Sequence, residues 1–153
     1  MNGYTNQYLA NTVNSASPEQ LMLMLYDGAI RFLGMGIQAI EKEMIDKRAY
    51  YINKASAIIS EFAATLDHTQ DANLAENLDA LYNYMLGRLQ EANLKNDTEP
   101  LEEVKTMLSD LRGTWAQAID LNKQDNKAIK SGYTTAVGSD VPATPRKSFA
   151  VAM

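Results

Sequence analysis

Ser17-Pro18-Glu19-Gln20-Leu21-Met22-Leu23-Met24-Leu25-Tyr26-Asp27-Gly28-Ala29-Ile30 reads as the opening of a helix that must bury more than one side. Ser17 suits the N-cap, Pro18 the first helical position, and Gln20 stands where its side chain can close a capping box. Residues 21–26 are six consecutive apolar or amphipathic side chains. At 3.6 residues per turn, six neighbours cover the whole circumference rather than one stripe. The helix is predicted from Pro18 to about Glu43. It carries two adjacent apolar stripes: Leu21, Leu25, Ala29, Phe32, Gly36 and Ile40, then Leu23, Tyr26, Ile30, Leu33 and Ile37. Gly28, Gly34 and Gly36 lie inside it, each about 1 kcal/mol worse than alanine in a helix. They imply close packing against a neighbouring helix, or else a locally soft helix or a shallow groove for a ligand segment.

Three further segments keep the 3–4 apolar spacing of amphipathic helices. One runs from Asp46 or Lys47 to Leu66, with Ile52, Ala55, Ile59, Phe62 and Leu66 on its stripe. Another runs from about Asn73 to Leu94, with Leu74, Leu78, Leu81, Met85 and Leu89 as core and Tyr82, Tyr84 and Leu86 beside them. The last runs from Glu99 to about Asn122, with Leu101, Val104, Leu108, Leu111, Trp115 and Ile119; Asp97 or Thr98 is its expected cap. Four such helices joined by short polar turns predict an all-α, antiparallel up-and-down four-helix bundle. The bundle is assigned to residues 17–123. Residues 1–16, polar apart from Tyr4, Tyr8, Leu9 and Val13, are expected to form a mobile segment, with docking of the two tyrosines left open. Residues 124–153 lose the apolar period, gather Gly132, Gly138, Pro142 and Pro145, and are expected to form a flexible tail.

Composition removes several functions. The 153 residues include no cysteine, which excludes disulfides, thiolate metal sites and thiol catalysis. Pro18–Lys123 carries 17 acidic and 10 basic residues, a poor surface for nucleic acid, which needs clustered Lys and Arg. No apolar run approaches the roughly 18 residues of a membrane span, and the N-terminus has no signal-peptide pattern. The chain is expected in the cytosol. Its one histidine, His68, falls in a predicted connector beside Asp67 and Asp71. That placement argues against a di-iron bundle, a Ser-His-acid triad and a phosphotransfer histidine. No catalytic, cofactor-binding or metal-binding residue is assigned, and the chain is read as a non-enzyme. What remains is apolar surface, which on a helical protein marks a groove for a partner segment or a self-association face, here a weak homodimer.

Three blocks carry a resemblance. The first is Tyr8-x4-Val13-x3-Ser17-Pro-Glu-Gln-Leu-x3-Leu25-Tyr-Asp-Gly-Ala-Ile30. The second is Asn77-Leu78-x2-Leu81-Tyr82-x-Tyr84-Met85, then Arg88-Leu89-x2-Ala92-Asn93-x2-Asn96-Asp97. The third is Glu102-Glu103-Val104, Leu108, Leu111-Arg112 and Trp115. In order and spacing, from Tyr4 to about Lys123, they resemble the flagellar secretion chaperones of the FliS family. The resemblance implies a cytosolic four-helix export chaperone without cofactor or ATP. It implies that the disordered C-terminal region of flagellin lies in apolar grooves and is kept from polymerising before delivery to the export gate. It also implies contact with other flagellar regulators in some members, and an N-terminal segment that lies over part of the groove. On that basis Tyr4, Tyr8, Leu21, Leu25, Tyr26, Tyr82, Tyr84, Met85 and Leu89 are the expected partner-binding residues. Leu21 and Leu25 fit the core stripe equally well. Nothing is carried onto the chain beyond Gln124.

Overall fold

The computed structural model describes residues 3–135; the side chains of residues 3–5, 8, 12, 13 and 130–135 fall outside that description. The described residues form α1 (Gly3–Ser15), α2 (Pro18–Glu41), α3 (Ile45–Ala64), α4 (Ala72–Lys95) and α5 (Glu99–Thr135). Helices α2 to α5 close an antiparallel bundle in which α2 packs on α3 and α5, and α4 completes the square between them.

The helix ends are set by local chemistry. Pro18 holds the preceding residue in extended backbone, and Ser17 sits at φ −67°, ψ 162°. The chain therefore breaks between α1 and α2. The Gln20 amide donates to Ser17 Oγ at 3.2 Å and the Ser17 amide donates to Gln20 Oε1 at 3.1 Å, completing the predicted box. Asp71 Oδ1 caps α4 by accepting from the Leu74 amide at 3.0 Å, and Asp97 Oδ1 accepts from the Glu99 amide at 3.0 Å at the start of α5. At the end of α2 the Met44 amide donates to the Ala39 carbonyl at 2.8 Å, and the Glu43 amide to the Ile40 carbonyl at 3.1 Å. This double closure needs a left-handed residue, and Glu43 supplies it at φ 57°. Glycine takes that conformation without steric penalty, so Glu43→Gly is expected to stabilise the fold by about 0.5–1 kcal/mol, read as a higher urea midpoint at unchanged slope.

Two boundaries differ from the sequence reading. Residues 3–15 are helical, and α5 continues to Thr135, well past Asn122. Residues 124–135 contain no proline to stop the helix, and Lys127, Ala128 and Lys130 in their middle are good helix formers. Residues 136–153, the rest of the expected tail, lie outside the described residues.

The α2 core stripe is Met22, Tyr26, Ala29, Leu33, Gly36 and Ile40, with Ile52, Ile59, Met85, Leu89, Leu101 and Leu108 among its partners from the other helices. One layer takes an aromatic ring from each long helix. Tyr26 stacks on Phe62 with centroids 4.5 Å apart, and Phe62 meets Tyr82 at 5.7 Å. The Tyr26 and Tyr82 hydroxyls share a 2.7 Å hydrogen bond, and Trp115 Nε1 donates to the Tyr26 hydroxyl at 3.0 Å. Burial pushes both phenols above their usual value, so the layer stays neutral at physiological pH. Outside it, Arg112 grips Asp27 through two nitrogens at 2.9 and 3.3 Å, joining α5 to α2. Arg48 donates to Asn93 at 3.1 Å and to the left-handed Asn96 at 2.8 Å, tying the start of α3 to the end of α4.

Candidate functional site

The core stripe of α2 lies one residue away from a second stripe with the same spacing: Leu21, Leu25, Gly28, Phe32 and Met35. These face the outer seam between α2 and α3. Gly28 is buried, and a Cβ built there would stand 3.7 Å from Ile58 Cδ1 of α3. Phe32 stacks on Tyr51 with centroids 6.3 Å apart, and Tyr51 meets the exposed Tyr50 edge-on at 5.3 Å. Leu25 is 43% exposed, while Leu21, Phe32, Met35, Tyr51 and Ile58 are half-buried. The result is an apolar strip along two helices with a glycine in its floor. It offers shape and apolar area to a helix or extended segment and no group able to do chemistry.

Gly28 and Gly36 differ in what surrounds them. Gly36 is close packing: a Cβ there would stand 3.3 Å from Leu101 Cδ1 and 3.6 Å from Ile52 Cγ1. Gly28 brings α2 near α3 and keeps the strip shallow at its middle.

The expected partner-binding residues separate in the same way. Leu21 and Leu25 are on the strip and not in the core. Tyr26, Tyr82, Met85 and Leu89 are fully buried inside the bundle; they hold the helices in register and present no surface to a partner. Tyr84 is 49% exposed on α4, and its hydroxyl donates to Glu103 of α5. That bond raises the Tyr84 phenol above its usual value. Arg88 Nη2 holds the same carboxylate at 3.1 Å and its Nη1 holds Glu91 at 2.7 Å. Tyr84 therefore belongs to a different seam from Leu25. The side chains of Tyr4 and Tyr8 lie outside the described residues. Gly28, Phe32 and Met35 of α2 and Tyr51 and Ile58 of α3 are the strip residues absent from the expected set; the one-residue offset between the α2 stripes is the pattern that marks the three on α2.

Other chemistry finds no foothold among the described residues. His68 is exposed in the α3–α4 loop, where Asp67 Oδ1 caps the Thr69 amide at 2.8 Å. No group of three or more His, Asp or Glu is placed to hold a metal ion. No described helix is long and apolar enough to cross a membrane.

A bundle of this topology with a partner-sized apolar strip fits the three sequence blocks, and the comparison with known proteins decides the relationship. The sequence pattern of the family described as flagellar protein FliS matches residues 1–122. The chain belongs to the FliS family. It is 40% identical over 124 residues to the flagellar secretion chaperone FliS of Bacillus subtilis, covering 81% of this chain and 91% of that protein. It is 36% identical over 115 residues to the flagellar secretion chaperone FliSB of Pseudomonas aeruginosa, covering 75% and 91%. With FliS of Salmonella typhimurium it shares 37% over 115 residues, covering 74% and 85%. These FliS relatives are named as chaperones of flagellar secretion and not as enzymes. The family match ends at residue 122, within α5, and residues 123–153 lie outside it.

Proposed function

We propose that this chain is a cytosolic flagellar export chaperone that holds the disordered C-terminal region of flagellin on the α2–α3 strip. Holding that region keeps flagellin from polymerising and leaves the complex ready for delivery to the export apparatus. The observation that carries the reading is the continuous half-exposed run Leu21, Leu25, Phe32, Tyr51 and Ile58 over Gly28. An apolar strip of this kind is a feature of surfaces that meet a partner. A disordered client gains affinity by burying its own apolar stripe there while losing chain entropy, so binding should show a strongly negative heat-capacity change.

Titration calorimetry with a peptide spanning the flagellin C-terminal region tests this. Saturable binding whose enthalpy falls steeply with temperature supports it. No heat, together with sedimentation of the free protein as a dimer, would transfer the strip to self-association. Gly28→Ala gives a finer check. The new methyl is in ordinary contact with Ile58 and improves helix propensity, so stability rises by up to about 1 kcal/mol. The same methyl fills the floor of the strip, and peptide affinity falls about threefold to tenfold. Unchanged affinity would mean that the client does not reach the floor.

A further inference from the structure

The FliS match ends at residue 122, and the chain then runs on through the α5 overhang to residues 136–153. Trp115 is level with Tyr26, so the 1.5 Å rise per residue places Thr135 about 17 Å beyond the start of α2. Residues 136–153 extend at most about 60 Å, enough to turn back past Ser17 and lie beside Leu21 and Leu25. The strip opens at that same end of the bundle.

Charge favours that path. From Ala55 to Gly87 the chain has Glu61, Asp67, Asp71, Glu76 and Asp79 and no lysine or arginine. In an antiparallel bundle the end of α3, the α3–α4 loop and the start of α4 stand at the α2 N-terminal end. Glu61 follows Ile58 by three residues and is exposed beside the strip. After residue 122 the balance reverses, with Lys123, Lys127, Lys130, Arg146 and Lys147 against Asp125 and Asp140. Arg146-Lys147-Ser148-Phe149-Ala150-Val151 places two cations directly before an aromatic and a β-branched residue. A basic pair with an apolar anchor suits an apolar strip with the exposed Glu61 beside it, at the acidic end of the bundle.

We propose that the C-terminal segment around Arg146–Val151 docks on its own bundle at the Leu21–Leu25 end of the α2–α3 strip, with Phe149 on the apolar surface and Arg146 and Lys147 toward the Glu61 side. The contact is intramolecular, so its effective concentration is set by the connecting chain, and a weak interaction suffices to hold it. Its competition with client rests on the proposed function; the contact itself does not.

The absence of native cysteine makes the test direct. A nitroxide on Ser148→Cys in the full chain is expected to broaden the Leu21 and Leu25 methyl resonances at least twofold more than those of Leu94, at the far end of the bundle. Adding Arg146→Glu with Lys147→Glu should remove the difference. Equal broadening at the two ends would overturn the proposal. So would broadening that appears only when labelled chains are mixed with unlabelled, isotope-enriched ones, which assigns the contact to a second copy. The double charge reversal should also raise affinity for the flagellin peptide about threefold to tenfold. If no peptide binds to any variant, the chaperone reading fails while the relaxation result still decides the contact.

Discussion

Tyr26→Phe is expected to destabilise the bundle by about 2–4 kcal/mol, although it removes a single oxygen atom. That oxygen accepts from Trp115 Nε1 and shares a hydrogen bond with the Tyr82 hydroxyl. It therefore joins α2 to both α4 and α5 in a layer that water does not reach. Taking away one partner of a buried hydrogen bond costs about 1–3 kcal/mol, because the group left behind has already given up its water. Two such bonds meet at this atom. Tyr82→Phe removes one of them and should cost about half as much. The phenyl ring is kept in both variants, so stacking on Phe62 and the packed volume change little. Urea denaturation gives the comparison: Tyr26→Phe must lower the midpoint more than Tyr82→Phe. Equal losses would mean that the Trp115 bond contributes nothing. Burial holds both phenols in their protonated form, so this difference should persist unchanged from pH 6 to pH 9.

That layer also marks how far sequence reasoning reaches. Helix starts are local facts: Ser17 with Gln20 and Asp97 each act within three residues, and a linear reading finds or brackets them; Asp71 acts over the same range but is read there only as part of a polar connector. The aromatic layer joins positions 56 and 89 residues apart in sequence, a distance over which periodicity carries no information. The register of α2 fails for a different reason. Six consecutive apolar residues satisfy two stripes one residue apart, and nothing within α2 says which stripe faces α4 and α5. Tertiary packing chose Met22 and Tyr26 over Leu21 and Leu25. The same ambiguity covers Tyr26, Tyr82, Met85 and Leu89: large apolar residues in the blocks that carry the family resemblance serve a core as readily as a surface. The end of α5 escaped for the opposite reason. Apolar period stops near Asn122, yet the helical backbone continues to Thr135, through a stretch that contains no proline to end it.

Leu25→Asp is expected to weaken binding of the flagellin C-terminal peptide about 100-fold while leaving the fold almost intact. At 43% exposure Leu25 contributes little to the core, and a half-exposed substitution of this kind changes stability by roughly 1 kcal/mol or less. In a complex the same position is covered. The carboxylate then loses its water against an apolar partner, while the cations along the strip, Arg31 over the Phe32 ring and Lys54 over the Tyr50 ring, are already engaged, a penalty of several kcal/mol. About 2.7 kcal/mol corresponds to the 100-fold loss. Leu94→Asp is the control, since Leu94 is 80% exposed at the opposite end of the bundle and outside the strip; its binding should match the wild-type chain. Leu25→Met, which keeps apolar area and adds flexibility, should bind within about threefold of wild type. Calorimetry on the four proteins, with circular dichroism to confirm equal helix content, separates the alternatives. If Leu25→Asp binds normally, the client takes another seam, and the Tyr84–Glu103–Arg88 face between α4 and α5 becomes the surface to mutate next. If Leu94→Asp is as damaged as Leu25→Asp, the loss reflects added negative charge on an already acidic bundle and not a blocked strip.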